Sequence, residues 1–316
     1  MVSHDILSRH VTVLREEAVE LLQPEKGSVF IDATLGLGGH TELILERNPQ
    51  ARVIGIDQDV EALAAAKERL GELASRVSFV HGNFSEIMHL AAENGVSKID
   101  GIIADLGVSS MQVDSEERGF SFRFDAPLDM RMDTESGGET AAELLERLSE
   151  EEIANIIYRY GEERASRKIA RRIVSARNSG KPITTTFELK KLVESCVRSS
   201  PKTQIHPATR TFQALRIAVN SELDILEQFL KDSVGLLRSG GRLAVISFHS
   251  LEDRIVKQSF LRLSGRCECP PRMPVCICGA EKLGNILTRK PIVPVEEEIA
   301  RNPRARSAKL RAIEKA

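Results

Sequence analysis

The chain has no tryptophan and only two tyrosines in 316 residues, and its formal net charge is −2. With so little net charge, a polyanionic partner must be met by a local basic patch, and no aromatics interleave the basic runs of this chain, so base stacking is not expected from them. No run approaches the roughly 18 apolar residues that a membrane span needs. Met1 to Glu17 carries charges throughout and lacks the apolar centre of a secretion signal. A soluble, cytoplasmic chain without a membrane partner is expected. Cysteine is scarce and uneven: of five, Cys267, Cys269, Cys276 and Cys278 crowd together and Cys196 stands alone. Disulfides are not expected to persist in a cytosolic chain. Two C-x-C pairs across a proline-stiffened loop suit either a zinc ion or an unliganded loop of reduced thiols. Because the usual structural spacing is C-x(2-4)-C, no metal ligand is assigned from the sequence. Cys196 reads as a small buried apolar residue.

What is present alternates between strand and helix. Val29-Phe30-Ile31-Asp32 is an apolar run ending in an acid, and it breaks into Ala33-Thr34-Leu35-Gly36-Leu37-Gly38-Gly39-His40-Thr41 before a helical pattern. Glycines at 36, 38 and 39 let a ligand approach the backbone, and the amides opening the next helix point at whatever carboxylate or phosphate lies there. A second apolar run, Arg52 to Asp57, ends in an acid about 20 residues beyond the loop, where a ribose-binding carboxylate belongs in a doubly wound sheet. Together they imply a nucleoside cofactor. A glycine turn that merely links strand to helix gives no reason for Asp57. The dinucleotide fingerprint G-x-G-x-x-G/A, read from Gly36, puts Thr41 where the third small residue belongs, so NAD is the poorer reading. The spacing Asp32-x-x-x-Gly36-x-Gly38 resembles motif I of S-adenosylmethionine (SAM) dependent methyltransferases, whose turn faces the methionine half while the second acid holds the ribose.

Helices are expected at Val11 to Leu22, Thr41 to Arg47, Val60 to Leu73 and Phe84 to Asn94, and strands at Val77 to His81 and Asp100 to Gly107. Four βα units in a row imply a parallel sheet. After Ser110 the alternation stops for about 100 residues. Helices are read there at Glu139 to Leu148, Glu150 to Arg177 and Thr186 to Arg198, the last with Thr186 as N-cap. The core resumes with a helix over Thr211 to Leu237 and a strand over Arg242 to Phe248. Ser250-Leu-Glu-Asp253 offers a capping box for a helix through Leu263, and Gly284 to Val293 and Ser307 to Ile313 read as edge strands. The expected fold is α/β, of the class I SAM-dependent methyltransferase type: Rossmann-like, with a mainly parallel seven-stranded sheet and an inserted helical domain. Residues 1–112 and 211–316 are assigned to the SAM-binding core and 113–210 to the substrate-recognition insertion. Ligands of such sheets bind beyond the carboxyl ends of the strands, so an insertion leaving the fourth strand starts at that rim.

Methyl transfer from a sulfonium asks the protein to hold the nucleophile in line with the S–CH₃ bond and to receive the proton released afterwards. Asp105 ends the fourth strand, where amino-group methyltransferases carry Asp/Asn/Ser-Pro-Pro-aromatic; here the sequence is Asp105-Leu-Gly-Val-Ser-Ser110. Its carboxylate is expected to meet an acceptor amine or the cofactor, against the plainer role of capping the next turn. Asn83-Phe84 falls where adenine-edge contacts occur, with Phe84 either facing the base or stapled into the core. His40, at a helix N-terminus, suits a neutral imidazole or a backbone contact, since the helix dipole disfavours imidazolium. Arg164, Arg167, Lys168, Arg171, Arg172, Arg177 and Lys181 follow one another with no acid between and several share a helical face, a candidate for phosphate contacts as against a solvated surface. Arg301, Arg304, Arg306, Lys309 and Arg311 in the tail add to the candidates for phosphate contacts, against the plainer reading that the last three alternate along a strand as its solvent side.

Several motifs occur in order: His10-Val-Thr-Val-Leu14, Asp32 to Thr41, Asp105-Leu-Gly-Val-Ser-Ser-Met-Gln112, Arg118-Gly-Phe-Ser-Phe122, Pro127-Leu-Asp-Met-Arg-Met132, Ser247-Phe-His-Ser-Leu-Glu-Asp253 and Asn302-Pro-Arg-Ala-Arg-Ser-Ala-Lys-Leu-Arg311. Over nearly the whole chain they resemble the RsmH (MraW) family. The resemblance implies SAM-dependent methylation of N4 of a cytidine in the decoding region of bacterial 16S rRNA in the small ribosomal subunit. It further implies SAM contacts from Gly38, Gly39, His40, Asp57, Phe84, Asp105 and Gln112. Asp105 is read as the catalytic residue that positions the amine or SAM, the proton leaving to water or to a group such as Ser109. Thr12 stands where the family usually has proline, which bears only on the stiffness of that segment. The conjugated N4 amine is a weak nucleophile and its base must be splayed out of structured RNA to react. Rival readings are a class I methyltransferase acting on DNA or a protein amine, a non-catalytic RNA-binding factor that keeps a SAM pocket, and an NAD oxidoreductase. A homodimer is possible, and nothing in the sequence requires one.

Overall fold

The computed structural model describes residues 11–135, 137–197, 206–267, 269–270 and 277–316; His10, Arg198 and Cys276 lie outside the described residues. The chain begins with α1 (Arg15–Leu22), β1 (Val29–Asp32), α2 (Gly39–Arg47), β2 (Arg52–Asp57), α3 (Val60–Leu70), β3 (Val77–His81), α4 (Ile87–Glu93) and β4 (Ile99–Asp105). A helical stretch follows: α5 (Ser110–Asp114), α6 (Ala141–Arg147), α7 (Glu150–Gly161), α8 (Ser166–Asn178), α9 (Thr186–Cys196) and α10 (Thr209–Asn220). The last part holds α11 (Glu222–Leu236), β5 (Leu237–Ser247), α12 (Ser250–Leu263), β6 (Gly284–Ile286), α13 (Glu296–Arg301) and β7 (Lys309–Lys315). Two compact units result: Met1–Gly107 with Leu223–Ala316, and Val108–Glu222.

The first unit is built on a seven-stranded sheet in the order β3-β2-β1-β4-β5-β7-β6. Strands β1 to β5 pair in parallel, and β7 runs antiparallel to both β5 and β6. The middle strands are apolar on both faces, as a parallel sheet covered by helices on each side requires. Ile31, Ile54, Ile102 and Val245 pack on one face with Phe229 and Leu230 of α11 and Phe260 of α12. Phe30, Val53, Ile103 and Ile246 pack on the other with Val19 of α1 and Ile44 of α2. Each such side chain stabilises the fold by about 1.5–3 kcal/mol when fully buried, which holds the strand ends rigidly. Strand order reverses between β1 and β4, so their carboxyl ends frame the crevice where ligands of open α/β sheets bind.

The second unit closes around Leu144, Leu145, Ile153, Ile157, Ile169, Ile173, Leu189, Phe212 and Leu215, and Cys196 is buried among them. Three sequence expectations change. The helix read over Glu150 to Arg177 is two helices, broken after Gly161 where Glu162 turns left-handed (φ 50°). A Cβ on Gly161 would stand 2.5 Å from the Arg210 carbonyl, so α7 and α10 touch backbone to backbone at this glycine. The helix read over Thr211 to Leu237 is also two, split at Ser221 (φ 51°). Its first half joins the second unit because Phe212 and Leu215 fill that core, while Phe229 and Leu230 fill the first. Finally, Thr185 caps α9, exchanging hydrogen bonds with Glu188, and the Thr186 hydroxyl donates to the Phe124 carbonyl at 2.6 Å. Among the described residues no helix is long and apolar enough to cross a membrane.

Candidate functional site

The loop after β1 is shaped by its own backbone and by two apolar anchors. Ala33 continues the pairing, its N–H donating to the Ile103 carbonyl (2.8 Å), and Leu35 N–H donates to the Ile56 carbonyl (2.8 Å). Leu35 and Leu37 are buried, and Leu35 lies where a Cβ on Gly55 would need to be, which explains a glycine inside β2. Gly36 (φ 50°) and Gly38 (φ 75°) take left-handed turns that a side chain would oppose. Gly38 is the N-cap of α2. Gly39 is needed for a different reason: its Cβ would lie 1.8 Å from the Thr12 hydroxyl.

Three carboxylates end strands at this rim, each in a different environment. Asp32 is buried, accepting from the Thr41 hydroxyl at 2.8 Å and weakly from Thr34 N–H at 3.4 Å. Burial pushes its pKa up to about 6. Asp57 accepts from Gly36 N–H at 2.7 Å and from Asp59 N–H at 2.9 Å, and burial pushes it up to about 6 as well. Asp105 donates its backbone N–H to the Thr34 hydroxyl at 2.6 Å, which ties the end of β4 to the loop after β1. Its Oδ1, by contrast, is shielded from solvent with no hydrogen-bond partner among the described residues. Burial holds this carboxyl well above the usual range, and the negative charges of Asp32 and Glu252 add to the effect. A shielded carboxylate oxygen without a donor is costly, and one at a switch point suits a ligand that brings the donor.

The other residues singled out from the sequence are spread more widely. His40 is buried and its Nε2 lies 3.2 Å from the Val13 carbonyl, so the proton sits on Nε2 and the ring anchors the N-terminal segment. Phe84 packs edge-to-face on Phe229 (4.9 Å between centroids) and belongs to the hydrophobic core. Beside it, Asn83 accepts from Ser85 N–H and donates to Gln58 Oε1 at 2.8 Å. Gln112 belongs to the second unit, where its Oε1 accepts from Ser109 N–H (3.1 Å) while its own N–H donates to Ser109 Oγ (3.2 Å). Ser109-x-x-Gln112 is thus a capping box, legible in the sequence as S-x-x-Q.

Two residues that sequence reasoning missed or misplaced complete the rim of the first unit. The capping box of α12 begins at His249, not Ser250: His249 Nδ1 accepts from Glu252 N–H (3.3 Å), and Glu252 Oε2 accepts from Phe248 N–H (2.8 Å) and His249 N–H (3.2 Å). The signal was H-x-x-E, with an imidazole in place of the usual hydroxyl or carboxylate cap. This holds the buried Glu252 close enough to raise Asp105. Lys309 and Arg311 do not form a solvent side, since both pair with Asp253 of α12 (3.1 and 2.6 Å). The alternation was real, but that face of β7 is covered by a helix.

The chain is similar to known proteins over almost its entire length. The family model described as the MraW methylase family matches residues 7–316. A protein of Trichlorobacter lovleyi named ribosomal RNA small subunit methyltransferase H is 53% identical over 308 residues, 97% of this chain and 98% of its own. A protein of the same name from Geobacter sulfurreducens shows the same identity and coverage. Among solved structures, an rRNA methylase from Streptococcus thermophilus aligns over 100% of this chain and 98% of its own at 12% identity and a TM-score of 0.41. On the strength of the match across almost its entire length, the chain belongs to the MraW methylase family.

Proposed function

We propose that this protein methylates the N4 exocyclic amine of a cytidine in the decoding region of bacterial 16S rRNA, in the small ribosomal subunit and in the cytoplasm. The single observation that carries the reading is Asp105 Oδ1, shielded and without a donor at the end of β4, tied through Thr34 to the glycine loop. The names of the relatives support small-subunit rRNA as the acceptor. The rim fits the methyl donor by charge. SAM carries an ammonium and a sulfonium, and here three carboxylates are desolvated without a cation beside them among the described residues.

In this reading Gly38 and Gly39, with the first amides of α2, face the methionine carboxylate, and Asp57 holds the ribose while Gly36 N–H fixes its orientation. Phe84 contributes an apolar floor, since its ring is committed to the core. His40 acts indirectly, locking Val13 across the start of α2. SAM when bound supplies the electrophilic methyl group. Asp105 Oδ1 accepts a hydrogen bond from the acceptor amine, and its raised pKa suits it to take the proton that the methylated amine must lose. On the second unit, Arg164 just before α8, Arg167, Arg171 and Arg172 along it and Lys181 just beyond it are exposed and are assigned to the RNA backbone.

The reading is tested by incubating the protein with methyl-labelled SAM and small subunits from cells lacking the activity, then digesting the RNA to nucleosides. Label on N4-methylcytidine is expected. Label on another nucleoside, or none from protein shown to bind SAM, overturns the assignment.

A further inference from the structure

A cluster far from this chemistry in sequence has its own geometry. Between α12 and β6 the chain makes an excursion whose stem is closed by an antiparallel bridge between Ser264 and Lys282 and by Leu283 N–H donating to the Leu263 carbonyl (2.8 Å). Gly265 turns left-handed (φ 83°) against the Lys282 backbone to enter it. Just inside the stem, the sulfurs of Cys267, Cys269 and Cys278 all lie within 4.8 Å of one another. Cys278 Sγ is 3.7 Å from Cys267 Sγ. That is too long for a disulfide, whose sulfurs are about 2.05 Å apart. It matches a metal site, because a tetrahedron with Zn–S bonds of about 2.3 Å places its sulfurs about 3.8 Å apart. The surrounding backbone is arranged for thiolates: Cys269 N–H points at Cys267 Sγ (3.4 Å) and Ile277 N–H at Cys269 Sγ (3.3 Å). Such donors offset negative charge on sulfur and orient ligands about a metal.

We propose that Cys267, Cys269 and Cys278 form a zinc site that staples this excursion shut above its hydrogen-bonded stem. Soft thiolates select zinc over the hard cations magnesium and calcium, and each thiol gives up its proton to solvent as it binds. A structural zinc site takes four donors, and these thiols supply three of them. The C-x-C spacing, shorter than in the common structural sites, works here because the third thiol is supplied from across the stem and not from the same turn. The role is structural. The site is distinct from the strand-end carboxylates of the proposed methyl-transfer site, and its test does not depend on activity.

The full-length protein, purified under reducing conditions without added metal, is expected to carry about one zinc per chain by elemental analysis. Cys267→Ser and Cys278→Ser are expected to lower that content roughly tenfold or more, and Cys196→Ser to leave it unchanged. Should the two variants fold poorly, the wild-type chain answers alone: stripped of metal and titrated anaerobically with Co²⁺, it is expected to show the thiolate-to-metal charge-transfer band and intense visible bands of a tetrahedral thiolate site. Metal removal is further expected to speed tryptic cleavage after Arg266 while the rest of the chain stays folded. Wild-type protein with reduced thiols, no bound zinc and no cobalt spectrum overturns the proposal, as does zinc retained in full by Cys267→Ser and Cys278→Ser.

Discussion

Asp105 contributes nothing to the fold through Oδ1, which it buries without a donor, and this sets what its replacement does. Asp105→Asn removes a desolvated charge beside Asp32 and Glu252, so the folded state is expected to be as stable as before or more so, by about 1 kcal/mol. Turnover on small subunits is expected to fall by about 10²–10⁴, because an amide holds the amine but takes no proton. Thermal unfolding and single-turnover methylation measure the two sides, and unchanged turnover removes Asp105 from the proton's path. Asp32 and Asp57 give a pH signature. Their folded pKa of about 6 lies above the ordinary 3.8, so the stability they contribute is fully present below 3.8 and is lost as pH rises through 6. A cationic ligand reverses the preference, since it favours both groups ionised. SAM affinity is therefore expected to be flat above pH 7 and to weaken below 6, by roughly tenfold per pH unit for each carboxylate that must release its proton. Calorimetry in two buffers of different ionisation enthalpy reads the proton release directly. A binding constant independent of pH from 5 to 8 contradicts the charge match.

At the scale of elements, the basic run shows how far sequence carries and where it stops. The spacing of Arg164 to Lys181 put several cations on one helical face, and α8 does present Arg167, Lys168, Arg171 and Arg172 as exposed residues, with Arg164 exposed in the turn before it. Arg177 has the same residue type and a different job: Nη1 donates to the carbonyls of Leu145, Glu146 and Leu148 at 2.6–2.8 Å, closing the end of α6. Lys168 likewise donates to the Cys196 carbonyl at the end of α9 (2.9 Å). Arg177→Ala is expected to destabilise the second unit by about 1.5–3 kcal/mol, while Arg167→Ala with Arg172→Ala leaves unfolding unchanged and flattens the salt dependence of RNA binding by about one to two units of slope. Denaturant titration and binding at several salt concentrations separate the two. Strands were legible because a buried parallel strand is a short apolar run, and β3 begins and ends where the pattern put it. The breaks after Gly161 and at Ser221 were not, because Glu162 and Ser221 adopt left-handed turns under tertiary pressure, with no proline or local glycine pair to announce them. The acids at the ends of β1, β2 and β4 were readable as strand-end residues. Glu252 was not, since only the packing of α12 against the sheet brings it to Asp105.

At the scale of the whole first unit, the two ends of the sequence meet at the start of α2. Leu14 N–H donates to Glu298 Oε1 at 2.8 Å, and Asn302 Nδ2 donates to the Val11 carbonyl at 2.9 Å. Leu14 is fully buried in a left-handed turn (φ 48°), a conformation that persists only where the surroundings enforce it. The segment so held reaches the glycine loop three times: Thr12 fills the space beside Gly39, the Val13 carbonyl meets His40, and Arg15 Nε donates to the Gly39 carbonyl at 3.0 Å. No reading of one sequence pairs positions 284 residues apart, which is why the Asn302 motif stood only as a resemblance. The contacts explain it: α13 and the turn after it hold the strap that positions the N-terminus of α2. Glu298→Ala leaves a buried amide without its acceptor, at a cost of about 1–3 kcal/mol, whereas Glu298→Gln keeps an acceptor oxygen and is expected to behave as the wild type. If the strap positions the loop, SAM affinity falls with Glu298→Ala and recovers with Glu298→Gln. Calorimetric SAM binding beside thermal unfolding for the two variants decides it. Lost stability with wild-type affinity in Glu298→Ala leaves the meeting of the termini as a fastening of the fold and nothing more.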